Sequence, residues 1–95
     1  MEKEVTETFT VLNEKGLHAR PSAEIVKCTS SFKSRITFEL GGLCANGKSI
    51  LDILSLAAPC GSQIVVRVVG FDAEEAMNAL REIFKGESKA WFKFG

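Results

Sequence analysis

Gln63-Ile64-Val65-Val66-Arg67-Val68-Val69-Gly70-Phe71-Asp72-Ala73-Glu74-Glu75-Ala76 changes its periodicity halfway along. Up to Val69 the residues are β-branched and alternate, with Ile64, Val66 and Val68 on one side, which predicts a half-buried strand. Gly70-Phe71 turns the chain. Asp72 with Glu75 three residues later is the signature of a helix start, Asp at the cap and Glu in the first turn. Ala76, Leu80, Ile83 and Phe84 then share one stripe to about Lys85, and Gly86 is expected to close the helix. A strand with one apolar face feeds a helix with one apolar stripe, so the two bury those faces against each other.

The same units recur upstream. Thr6 to Leu12 reads as a strand with Phe9 and Val11 on one face, followed by the loop Asn13-Glu14-Lys15-Gly16. From about Ala19 to Ser30, Ala19, Ala23, Ile25 and Val26 recur at helical spacing, and Pro21 falls in the first turn, where its missing N–H costs nothing. Arg35 to Leu40 alternates again, Gly41-Gly42 supplies a hairpin turn, and Leu43-Cys44-Ala45 returns. Ser49 with Asp52 three residues on predicts a capped short helix through about Leu56, ended by Pro59-Cys60-Gly61. The order is βαββαβα: an α+β two-layer sandwich, its helices on one face of a largely antiparallel sheet.

Length and charge bound the rest. Ninety-five residues, 45% of them hydrophobic, make one domain and exclude disorder. Twelve basic residues balance twelve acidic ones, so there is no bulk attraction to nucleic acid or anionic membrane. Acids at Glu2, Glu4 and Glu7 replace the apolar run of a signal peptide, and the longest apolar segment, Ile50 to Ala58, is broken by Asp52 and Ser55. A soluble, cytoplasmic protein without membrane insertion is expected. Cys28, Cys44 and Cys60 are too widely spaced, with one histidine, for a zinc site or disulfide framework, and are expected to be buried thiols. No metal or cofactor is expected.

Gly16-Leu17-His18-Ala19-Arg20-Pro21 places the single histidine and an arginine at the mouth of the first helix. The first N–H groups of a helix are unpaired and the helix dipole is positive there, which suits an anion. Arg20 adds a planar cation matched to phosphate oxygens. A neutral imidazole has a ring nitrogen free to act as nucleophile. A nucleophile beside a phosphate cradle points to phosphorylation of His18 and onward transfer of the group. The sequence supplies neither Mg²⁺ carboxylates nor a nucleotide loop, so the chain fits a receiver and donor rather than a kinase. Residue type alone favours reading His18 as a capping or turn residue, since a lone histidine is a weak signal; the surrounding spacing changes that.

Gly16-Leu17-His18-Ala19-Arg20-Pro21-Ser22-Ala23 together with Asn46-Gly47-Lys48-Ser49-Ile50-Leu51 resembles the HPr family, the histidine-containing phosphocarriers of the bacterial phosphoenolpyruvate-dependent phosphotransferase system. The resemblance runs over about residues 4 to 86. It implies an open-faced β-sandwich, four antiparallel strands covered on one face by three helices. It further implies that His18 accepts a phosphoryl group on Nδ1 from phosphorylated enzyme I and gives it to an EIIA-type domain. Arg20 would compensate charge, the amides of Ala19 and Arg20 would hold phosphoryl oxygens, and Pro21 would fix the helix start. Ser49 matches the position that an HPr kinase/phosphorylase modifies in many members; it is also an ordinary helix cap. Ile50, Leu51 and Leu54 would form the docking face, with Lys27 and Lys48 as a basic rim. A monomer is expected.

The chain is thus divided into a phosphocarrier domain, 1–86, and an aromatic, basic tail, 87–95, which departs from the family pattern. Trp91, Phe92 and Phe94 of that tail are expected to pack back on the domain. Three rival readings stand beside the carrier in sugar uptake. One is a nitrogen-branch or regulatory paralogue, and another is a small acyl-phosphate hydrolase using Arg20 and Asn46. The third, an RNA-binding fold, is rejected because the outward strand positions are Thr, Glu, Arg and Gln rather than aromatic.

Overall fold

Alternation of buried and exposed residues builds four strands and amphipathic spacing builds three helices, in the expected order. They are β1 Lys3–Thr10, α1 Ala19–Thr29, β2 Arg35–Leu40, β3 Leu43–Asn46, α2 Ile50–Ser55, β4 Gln63–Gly70 and α3 Ala73–Phe94. The structure, a computed structural model, describes the backbone of residues 2–94 and the side chains of residues 2–85. The sheet order is β1-β4-β2-β3, and every neighbouring pair is antiparallel. β1 begins at Lys3 rather than Thr6 because β4 is long enough to pair with it throughout, from Lys3 opposite Gly70 to Thr10 opposite Gln63.

One face of the sheet meets the helices. Ile36, Phe38, Ile64, Val66 and Val68 are buried there against Ile25 of α1, Ile53 of α2 and Met77, Leu80 and Phe84 of α3. The Phe9 and Phe84 rings stack with centroids 4.7 Å apart. Strand alternation puts Thr6, Thr8, Thr37, Arg67 and half-buried Val65 and Val69 on the other face, which no helix covers among the described residues.

Four local expectations are corrected. Ala19 and Ala23 are exposed, and α1 instead buries Pro21, Ser22, Ile25 and Thr29. Two hydroxyls can face the core because each donates to a carbonyl: Ser22 Oγ to Leu17 (3.2 Å) and Thr29 Oγ1 to Gly47 (2.7 Å). Cys44 and Cys60 are exposed and Cys28 is half-buried. Cys44 lies on the uncovered sheet face and Cys60 on a turn, while partial burial pushes the Cys28 thiol pKa up. Third, Gly86 does not end α3, whose backbone stays helical to Phe94. Fourth, the Asp72 carboxylate is used across the chain, accepting from the Lys33 and Ser34 amides (2.8 and 2.9 Å) and from the Ser34 hydroxyl. The expectation that Trp91, Phe92 and Phe94 pack on the domain falls on side chains outside the described residues.

Candidate functional site

His18 is the N-cap residue of α1, with extended backbone (φ −81°, ψ −169°) and no side-chain capping bond, so its imidazole is not spent on the helix. The backbone donors around it can be followed one by one. His18 N–H donates to Gly16 and Ser22 N–H to His18, while Pro21 has no N–H. That leaves the amides of Ala19 and Arg20, which have no intrahelical partner at this end of a helix. No acid lies in the first turn of α1. Arg20 is exposed and makes no ion pair among the described residues. Two open amides, the positive end of an 11-residue helix and a free guanidinium thus share one short stretch with a nucleophilic ring.

What fixes this mouth comes from elsewhere in the chain. Leu17 N–H donates to Ala58 O (2.9 Å), tying the loop before α1 to the loop after α2. Gly16 takes φ +72°, and a Cβ there would overlap the Ala58 carbonyl and lie 2.9 Å from Pro59 Cα. Ala57, beside that brace, is the only non-glycine residue with positive φ (49°) among the described residues. Gly16 was visible in the sequence as a loop glycine; Ala57 and Ala58 carried no signal of this role.

Ser49 does not converge on His18. The two ends of α2 are anchored at opposite ends of α1: Ala58, after α2, at Leu17, and Gly47, before it, at Thr29. The two helices therefore run antiparallel, and Ser49 lies about one α1 length, roughly 16 Å, from the histidine end. Ser49 caps α2 by accepting from the Asp52 amide (3.2 Å), and Asp52 in return accepts from the Asn46 amide (3.0 Å). Between the ends, Ile53 is fully buried, whereas Ile50 (39%) and Leu51 (76%) are exposed and Leu54 is half-buried. Lys27 is exposed in the last turn of α1. The Lys48 ammonium donates to the Phe32 carbonyl (2.6 Å), so it is held against the protein rather than standing free.

Among the described residues no group of three His, Cys, Asp or Glu could hold a metal ion, and no helix is long and apolar enough to cross a membrane. The family model described as the "PTS HPr component phosphorylation site" matches residues 5–86. The chain is 39% identical over 83 residues to phosphocarrier protein HPr of Treponema pallidum (strain Nichols), covering 87% of this chain and 94% of that one. It is 45% identical over 77 residues to phosphocarrier protein HPr of Xylella fastidiosa (strain Temecula1), covering 81% and 86%. The crystal structure of an HPr from Bacillus anthracis superimposes with a TM-score of 0.80 at 40% identity, covering 85% of this chain and 96% of that one. Open helix amides beside an unengaged imidazole, on a fold shared with those proteins, carry one conclusion: the chain belongs to the HPr family of phosphocarriers of the phosphotransferase system.

Proposed function

We propose that His18 accepts a phosphoryl group from phosphorylated enzyme I and passes it to an EIIA-type domain in sugar uptake. In the accepting step Nδ1 of the neutral ring attacks phosphorus, the N–P bond forms, and the bond from phosphorus to the donor's leaving atom breaks with its electron pair. In the donating step the same N–P bond breaks toward the next acceptor. The Ala19 and Arg20 amides hold phosphoryl oxygens in both steps, and Arg20 offsets their charge as the group arrives and leaves. Exposed Ile50 and Leu51, with half-buried Leu54 beside them on α2, form the docking face.

The supporting observation is the pair of unpartnered amides at the end of a helix whose cap is an unengaged histidine. Incubation with phosphoenolpyruvate, Mg²⁺ and enzyme I should give one acid-labile, base-stable phosphate per chain. His18→Ala should abolish it, and Arg20→Glu should slow transfer by about 10²-fold or more while the fold persists. Labelling that survives loss of the imidazole rules the reading out. Steady release of phosphate from acyl phosphates, unchanged in His18→Ala, would favour a hydrolase instead.

A further inference from the structure

The far end of the sheet holds a second arrangement of charge and aromatic surface that phosphoryl transfer does not use. Phe71 follows β4 and leaves 72% of its surface exposed. A cleft of ≈ 320 Å³ opens beside it, lined by Glu2, Lys33, Arg35, Val69, Gly70 and Phe71. That volume is at the lower end of the range for small-molecule sites. Lys33 and Arg35 are both exposed, and neither joins an ion pair among the described residues. Both cations are open to a ligand, whereas of the two nearby carboxylates, Glu2 and Asp72, that of Asp72 is taken up by the Lys33 and Ser34 amides.

The two rims are held in fixed relation. Asp72, next to Phe71, accepts from the Lys33 and Ser34 amides and the Ser34 hydroxyl. Gly70, before Phe71, packs so closely that a Cβ there would lie 2.7 Å from Ser34 Cα. Arg35 pairs in register with Val69, which places its side chain beside the cleft floor on the uncovered face. The ring is thus presented beside both cations without a loop having to order first, which lowers the entropic cost of capturing a ligand.

We infer that this cleft binds a planar heteroaromatic ring carrying a phosphate, a mononucleotide in size and charge. The ring stacks on the open face of Phe71, an interaction that tolerates any base. The phosphate dianion meets Arg35 and Lys33, whose net charge suits a doubly negative group better than a neutral one. The eight residues of β4 separate this pole from the His18 end by roughly 26 Å, so occupancy of one leaves the other open.

The test is titration of the ¹⁵N-labelled full chain with adenosine 5′-monophosphate, followed amide by amide. Saturable shifts at Lys33, Ser34, Arg35, Gly70 and Phe71 are expected, with a Kd of about 0.1–10 mM. Phe71→Ser and Arg35→Glu, both at exposed positions, should each weaken binding about tenfold and leave the spectrum of the rest of the fold and phosphoryl transfer unchanged. Adenosine and inorganic phosphate separately should also bind about tenfold more weakly. The inference is overturned by shifts confined to Ala19 and Arg20, by no saturable change at the Phe71 pole, or by inorganic phosphate binding as tightly as the nucleotide.

Discussion

Ala57 holds a left-handed backbone (φ 49°) at an exposed position, a conformation that costs a residue with a Cβ on the order of 1 kcal/mol. The strain persists because its neighbours fix it: Ala57 N–H donates to Leu54, and the next carbonyl, Ala58, accepts from Leu17 and so positions His18. Ala57→Gly removes the Cβ penalty at some cost in unfolded-chain entropy, and a net gain of about 0.5 kcal/mol is expected in urea unfolding, with unaltered transfer rate. A loss of stability would mean that the methyl group contributes packing the backbone angle does not show. His18, Arg20 and Pro21 were legible in the sequence because a helix start restricts which residues it accepts. Ala57 was not, since alanine gives no sign of a positive φ.

Elements are joined here by side chains that the sequence suggested for other work. Asp72 reads as a helix cap, yet its carboxylate binds the segment entering β2, and those hydrogen bonds, that from Ser34 Oγ first, hold its pKa below the usual carboxylate value. A lowered folded-state pKa contributes stability in full above the unfolded value of about 3.9 and loses it as pH falls through the folded value. Asp72→Asn should therefore lower stability near neutrality and flatten its fall below about pH 4, seen in denaturant midpoints across that window. An unchanged acid limb would place the titration elsewhere. Ser49 is a cap, as its spacing with Asp52 indicated. Ser49→Asp keeps a good cap while adding charge beside exposed Ile50 and Leu51, so the helix should persist and affinity for enzyme I should drop several-fold. Equal affinity would leave Ser49 a cap alone. The buried stripe of α1 was misread because Ser22 and Thr29 look polar until their carbonyl acceptors, distant in sequence for Thr29, are known.

At the scale of the molecule, the single core was legible from strand alternation and the α3 stripe, and Phe38 is at its centre with no exposed surface. Phe38→Ala should cost about 3–5 kcal/mol, a large share of the ~5–15 kcal/mol a domain of this kind possesses, and thermal unfolding would measure it. A cost under about 1 kcal/mol would show that the layers close over the gap. Strand order and helix direction were beyond the reach of local patterns. Nothing in Ser49 or His18 tells that the two stand at opposite ends of α1; that follows from Gly47 and Ala58 anchoring α2 the opposite way round. The order β1-β4-β2-β3 has its own outcome during synthesis. The first strand leaves the ribosome several seconds before its only neighbour, at roughly 5–20 residues per second. Through that interval Lys3, Glu4 and Glu7 are the charges that keep a nascent, unpaired edge from joining another chain.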